Sequence, residues 1–251
     1  MWYKEMLAVR RALVVFVVVV ALIGSFNAWG PRESGGIMLS QALEAACLFT
    51  IVLALIIGTS LGRELGTLAR AALLRPASRE RYAWSVFAVD MLALAIAYGA
   101  ASVAIVGFFE IAHGFAPMDF AGVTILTAVV FPLAALYAFY GLTALCGVVT
   151  RGALGGAIAL GPICLALWIG AAVYAWGAAS LFRILCLIDP AMYFASAVNA
   201  IERRAHPVLT APALRGDFYA TLSVGADTAI LLCIAASTLL VAALLWRSAE
   251  A

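Results

Sequence analysis

Polar breaks divide this chain into apolar runs about as long as a lipid bilayer is thick, and no other feature limits its fold so strongly. The runs cover residues 12–29, 37–59, 83–109, 120–149, 154–176 and 226–246. A helix needs about 20 apolar residues to cross a hydrocarbon core of about 30 Å. Within such a core every backbone N–H and C=O must be satisfied by the chain itself, so each run is expected to form a helix. Composition agrees: 66% of the 251 residues are hydrophobic and 11% are charged, with a mean hydropathy of +1.11. A water-soluble domain carries about 25% charge, so this chain has too few charges to form a polar coat. The sequence therefore predicts an all-α integral membrane protein with six transmembrane helices, built as a single domain over residues 1–251.

The breaks set the connections. Residues 1–11 mix Trp2, Tyr3, Lys4, Glu5, Arg10 and Arg11, a pattern expected of an interfacial helix. No small-residue cleavage pattern follows, so the first run reads as a retained anchor. Residues 60–81 form a charged cytoplasmic loop, and Arg151-Gly152 reads as a tight turn. Pro132 is expected to bend the fourth span and Gly161-Pro162 to kink the fifth. Residues 177–225 form a mixed segment outside the membrane. Within it, 181–200 is nearly long enough to span. Arg183 and Asp189-Pro190 argue instead for a re-entrant or interfacial helix pair, because charge is costly at membrane depth and proline breaks the backbone ladder.

Orientation follows from the basic residues. With the N-terminus inside, Lys4, Arg10, Arg11, Arg63, Arg70, Arg75, Arg79, Arg81, Arg151 and Arg247 are cytoplasmic. Arg32, Arg183, Arg203, Arg204 and Arg215 lie outside. Four of those outer five fall in the long outer segment, where the rule is weakest. Both termini are thus expected in the cytoplasm. The net charge of +2 points to no nucleic-acid partner.

Several chemistries are disfavoured by what the chain contains. Cys47, Cys146, Cys164, Cys186 and Cys233 are scattered and form no Cys-x-x-Cys, so they read as small packing residues and no metal site is expected. Lys4 is the only lysine. A P-loop requires a lysine after its glycines, so any ATP and Mg would be bound by a partner, and the chain itself is expected to be non-catalytic. A retinal Schiff base is excluded on the same ground. Gly58-Thr59-Ser60-Leu61-Gly62 matches G-x-S-x-G, but a nucleophile elbow needs a strand–turn–helix setting. The only histidines, His113 and His206, are assigned to the opposite membrane face. Gly58, Gly62 and Gly66 read better as sites of close helix packing. Glu44 and Asp90 lie inside spans. Intramembrane carboxylates suggest a substrate path or proton relay; the plainer alternative is a buried carboxyl bonded to a neighbouring helix. Asp227, at the end of the last span, is expected to cap that helix.

The loop of residues 60–81 carries the most information. Leu65, Leu68, Ala69, Ala72 and Leu73 recur at helical spacing, while Arg63, Glu64, Thr67 and Arg70 lie off that stripe. Pro76 stops the helix, Ser78 can cap the third span, and Glu80 would lie in its first turn. The string Glu64, Gly66-Thr67-Leu68, Leu73-Leu74, Arg75-Pro76, Ser78-Arg79 resembles the signature of bacterial type-2 ABC exporter permeases. Lys4-Glu5 with Arg10 is similar to that family's surface helix. Asp189-Pro190 with Tyr193 and Phe194 is similar to its outer segment. The lysine often found there near the start of the third span is missing, and Trp84 to Phe87 stand in its place.

The resemblance implies a permease subunit in the bacterial inner membrane, paired with a second copy or a paralogue. It would associate with separate ABC ATPase subunits and be surrounded by membrane lipid. Arg63, Glu64, Gly66, Thr67, Arg70, Arg75, Pro76 and Arg79 would form the coupling helix and its flank. Glu44 and Asp90 would line the translocation path. A proton-coupled secondary transporter using the same two carboxyls is the alternative reading, with an intramembrane enzyme third.

Overall fold

The computed structural model of the chain describes residues 39–59, 62, 79–113, 123–152, 154–156, 158–162, 189–205 and 223–248. Among these residues there are helices and turns and no strand. The principal helices are α1 (Leu39–Ile57), α2 (Arg79–His113), α3 (Phe131–Thr150, entered through a π-helical turn at Leu126–Val130), α4 (Pro190–Ala205) and α5 (Val224–Ser248). Four of the expected spans thus coincide with α1, α2, α3 and α5. The first span and the N-terminal interfacial helix lie outside the described residues. So do residues 63–78 of the loop and the fifth span beyond Pro162.

Among the described residues, three segments are long and apolar enough to cross a membrane: Arg81–Phe108, Leu126–Thr150 and Val224–Ser248. Ala42–Ile57 in α1 is a shorter apolar helix. Their outward faces are as greasy as their inward ones. Leu92, Ile96 and Val103 on α2 are more than half exposed, as are Leu48, Val52 and Ile56 on α1. In water such stripes would form a costly apolar patch; against lipid chains they match the surroundings. Several threonine hydroxyls in the spans bond back into their own helix, as Thr50 does to the Ala46 carbonyl at 2.7 Å and Thr143 to Phe139 at 2.8 Å. That spares these hydroxyls an unmet donor in an apolar medium.

The contacts fix the direction of each helix. The Cys47 Sγ approaches the Pro132 carbonyl, Gly58 meets Thr143, and Gly62 meets Gly147, with the offset of 85 residues preserved throughout. Hence α1 and α3 run parallel. Asp90 pairs with Tyr140 and Tyr98 with Ala128, so α2 runs antiparallel to α3. Tyr82 at the start of α2 meets Trp246 near the end of α5 (ring centroids 6.2 Å), while Gly141 of α3 meets Thr238 of α5. Therefore α5 runs parallel to α3. The chain must traverse the length of the bundle between Arg151 and Ser223 to bring α5 in from the same end.

The parallel helices approach closely because side chains are missing where they meet. A Cβ on Gly58 would lie 2.8 Å from the Thr143 Cβ, and one on Gly62 would strike the Gly147 backbone. Gly155, just after the turn, presses on Gly147 from another side. The expectation for Gly58 and Gly62 is met; Gly66 lies outside the described residues. Alanines fill the centre of α3, where Ala134, Ala135, Ala138 and Ala144 are all fully buried. Small residues let helices pack by dispersion, which drives association in lipid where hydrophobic burial cannot.

Arg151 closes α3 in the left-handed conformation (φ 52°), its N–H donating to the Val148 carbonyl at 3.4 Å. This is the expected tight turn. Arg79 is the first residue of α2.

Candidate functional site

Two groups of polar residues lie in or against the spans. The first is Asp90, on the inward face of α2 about 14 Å along the helix from Arg81. It is 2% exposed, and Tyr140 on α3, equally buried, donates its hydroxyl to Asp90 Oδ2 at 2.8 Å. Phe87 packs edge-on against the Tyr140 ring. The carboxyl is therefore enclosed and tied to a neighbouring helix.

The second group lies where α1, α3 and α5 begin. Here α4 lies across all three starts. Asp189 caps it, with Oδ1 accepting the Ala191 N–H at 2.9 Å, and Pro190 occupies the first helical position. Proline is suited to that position, since its missing N–H would be unbonded anyway. Burial pushes the Asp189 carboxyl up to about 6 from its ordinary 3.8, against the smaller opposing pull of the Ala191 hydrogen bond. Met192, Tyr193, Phe194, Ala197 and Ile201 are buried beneath α4, and Phe194 stacks on Phe131 with ring centroids 5.5 Å apart. At 16 residues α4 is about 24 Å long.

Glu44 lines a crevice at this end with Cys47 of α1, Val123, Thr127, Phe131 and Pro132 of the α3 entry, and Ile201 of α4. Its volume is about 10 Å³, room for roughly one water molecule.

The α3 entry is shaped by Pro132. In an α-helix the Ala128 carbonyl would accept the N–H of residue 132, which proline lacks. The chain passes this point in a π turn, with Phe131 N–H donating to Leu126, and the Tyr98 hydroxyl donates to the Ala128 carbonyl at 2.7 Å. The expected disturbance at Pro132 thus takes the form of an inserted residue just before it, with a tyrosine from α2 as compensation. Such π turns often accompany functional sites. Tyr98 was not singled out from sequence; a tyrosine amid an apolar run, whose hydroxyl needs an acceptor, was the available signal.

Asp227 differs from expectation. The cap of α5 is Ser223, whose Oγ accepts the Ala226 N–H at 3.2 Å. Asp227 sits further on, in the first turn, with no exposed surface. The Ser196 hydroxyl of α4 is the polar group that faces this carboxyl. A buried side chain facing the bundle cannot cap its helix, whereas Ser223 stands just outside it.

Of the residues read from sequence as an ATPase-coupling surface, Arg63, Glu64, Gly66, Thr67, Arg70, Arg75 and Pro76 lie outside the described residues. What is described is the frame on either side: α1 ends at Ile57 and α2 begins at Arg79 at one end of the bundle. Exposed Arg81, Arg151 and Arg247 gather at this same end. Glu44 and Asp90 are not brought together, since Glu44 lies near the start of α1 whereas Asp90 bonds the middle of α3. Among the described residues no group of His, Cys, Asp or Glu is arranged to hold a metal ion, and Cys47, Cys146 and Cys233 are free thiols. No protein-family model matches the chain, and neither a curated protein nor a solved structure is similar enough to it to count as a match.

Proposed function

We propose that this chain is the transmembrane permease subunit of an ATP-driven exporter, with both termini in the cytoplasm and ATP hydrolysed on a partner chain. The observation that supports the reading is that α1 ends and α2 begins at the same end of the bundle. Arg81, Arg151 and Arg247 are exposed at that end. Basic residues favour the cytoplasmic face, so the Glu64-to-Arg79 motif would be presented where an ATPase could dock. The parallel course of α1, α3 and α5 also supports six spans. It requires a return crossing between α3 and α5, and residues 154–176 are the apolar run available for it.

In this reading Glu44 lies on the translocation path near its outer mouth. Asp90 would contribute through the Tyr140 bond that ties α2 to α3. Replacement Glu44→Gln should lower transport while basal ATPase activity of the assembled complex persists. A proton-coupled carrier would also need Glu44, but it would transport without any ATPase.

The decisive experiment addresses the loop. An exposed ion pair contributes little, typically under about 1 kcal/mol, whereas breaking a partly desolvated interface pair costs about 2–5 kcal/mol. Glu64→Arg should leave insertion and abundance nearly unchanged, yet weaken ATPase binding or uncouple hydrolysis from transport. Leu68→Asp should do the same by misplacing the helix. Pull-down of an ATPase encoded alongside the chain and transport assays on the same membranes provide the readout. Wild-type assembly and transport in both variants would refute the exporter assignment.

A further inference from the structure

We propose that the Glu44 crevice binds a primary ammonium group carried on an apolar chain, the head of an alkylamine or of an amine-headed lipid. That such an amine is cargo rests on the exporter reading; its binding to the chain does not.

The walls select this chemistry by charge, polarity and size. Glu44 is the only charged residue among those lining the crevice, and Thr127 brings a hydroxyl. The rest of the wall is apolar, from Leu43 and Val123 to Phe131 and Ile201, apart from Cys47, whose thiol is turned to the Pro132 carbonyl at 3.9 Å. Cys47, Phe131, Pro132 and Ile201 are buried and form the floor, whereas Leu43, Glu44, Val123 and Thr127 are half-buried and form the rim. The carboxyl and the hydroxyl thus belong to the mouth, beside two apolar side chains. A carboxylate among apolar walls is stabilised by a counter-charge that brings its own hydrogen-bond donors. An alkylamine is protonated near neutral pH, as lysine is. Its ammonium head is a compact charge with three N–H donors, and about 10 Å³ holds a group of roughly the size of one water molecule. Guanidinium and quaternary ammonium heads are larger than that space. A metal ion would need more oxygen ligands than a carboxyl and a hydroxyl supply, and among the described residues no group of His, Cys, Asp or Glu is arranged to hold one. An alkyl tail leaving past Leu43 and Val123 stays against apolar surface.

Binding of n-hexylammonium to the full chain in phosphatidylcholine nanodiscs, followed by saturation-transfer NMR against empty nanodiscs, tests the site without any ATPase. A failure of ATPase assembly would leave this result standing, and an absent amine site would leave the assembly tests standing. Hexylammonium should bind saturably. n-Hexanol has the tail without the charge, and tetraethylammonium has the charge on too large a head; each should bind at least about tenfold more weakly. This comparison is made on the wild type and needs no variant to fold. Glu44→Gln keeps the size of the side chain and should weaken hexylammonium by at least about tenfold, since breaking a desolvated charge pair is costly. Glu44→Asp keeps the charge and should lose less. Replacing part of the phosphatidylcholine with phosphatidylethanolamine should displace hexylammonium if lipid amines occupy the site; undiminished binding assigns it to soluble amines. The site is refuted if hexylammonium binds no better than hexanol or tetraethylammonium, or if Glu44→Gln binds it as tightly as the wild type.

Discussion

At the arginine end of the bundle, α1 and α3 meet backbone to backbone. Gly58 and Gly62 lie against Thr143 and Gly147, and Gly155 closes from the far side. At the aspartate end the same two helices are separated by side chains. There lie the Glu44 crevice, the π turn before Pro132, the Phe131–Phe194 stack and two enclosed carboxyls, Asp189 and Asp227. One end has almost no side-chain freedom and leaves no polar group at its seam to satisfy. The other is filled by large rings and polar groups. Tight small-residue contacts tolerate little displacement. Movement of these helices about the glycine seam would therefore be felt most at the aspartate end.

The largest expected effect breaks the seam. Gly62→Ala drives a methyl group into the Gly147 backbone, which cannot yield as a side-chain tip can, and should cost about 3 kcal/mol. Gly99→Ala on α2 is the contrasting case, since nothing lies within 4 Å of its Cβ position. It should be neutral or stabilising by about 0.5 kcal/mol, through reduced backbone entropy in the unfolded chain. Unfolding of both variants in detergent measures the difference. Equal effects would mean that the glycines are not what closes this end.

A smaller loss is expected where α2 is tied to the middle of α3. Tyr140→Phe removes the donor from a buried carboxyl and should cost about 1.5 kcal/mol. Asp90→Asn keeps an acceptor in place and should lie nearer the wild type. A Tyr140→Phe variant as stable as the parent would make this bond incidental.

At the aspartate end, Tyr98→Phe should cost about 1 kcal/mol by leaving the Ala128 carbonyl without its hydroxyl donor. Pro132→Ala restores the N–H that an α-helix would offer that carbonyl. In a Pro132→Ala background the loss from Tyr98→Phe should therefore shrink, and a double-mutant cycle reads the coupling. Additive effects would separate the tyrosine from the π turn.

The smallest effect is pH-dependent. Asp189 is held at about 6 when α4 is docked, above its ordinary 3.8, so docking favours the protonated acid. Its contribution is fully present below about pH 3.8, declines as pH rises through about 6, and is flat above. The group is partly accessible to solvent, so the change in α4 protection should be less than about tenfold. Asp189→Asn should abolish it. Hydrogen exchange of α4 at about pH 4.5 and about pH 7.5, corrected for intrinsic rates, gives the readout. An unchanged pH profile in that variant would assign the dependence to another carboxyl on the packed elements. The candidates among the described side chains are Glu44 on α1 and Asp227 on α5.

The sequence alone determined the helical character of the chain and the extent of α1, α2, α3 and α5. Apolar run length is a local property, and a backbone in lipid has one economical way to satisfy itself. It also determined that Gly58 and Gly62 are packing sites and that Arg151-Gly152 turns, since small residues and breaks act where they stand. Only the tertiary structure decided the fate of each polar group. Asp90 and Glu44 looked alike along the chain; Tyr140 encloses one, and a crevice receives the other. Asp227 read as a helix cap, yet Ser223 takes that role, and α4 covers the aspartate. Whether a buried carboxyl is satisfied depends on donors brought from residues 50 or more positions away, as Tyr140 is from Asp90. No local pattern encodes that meeting.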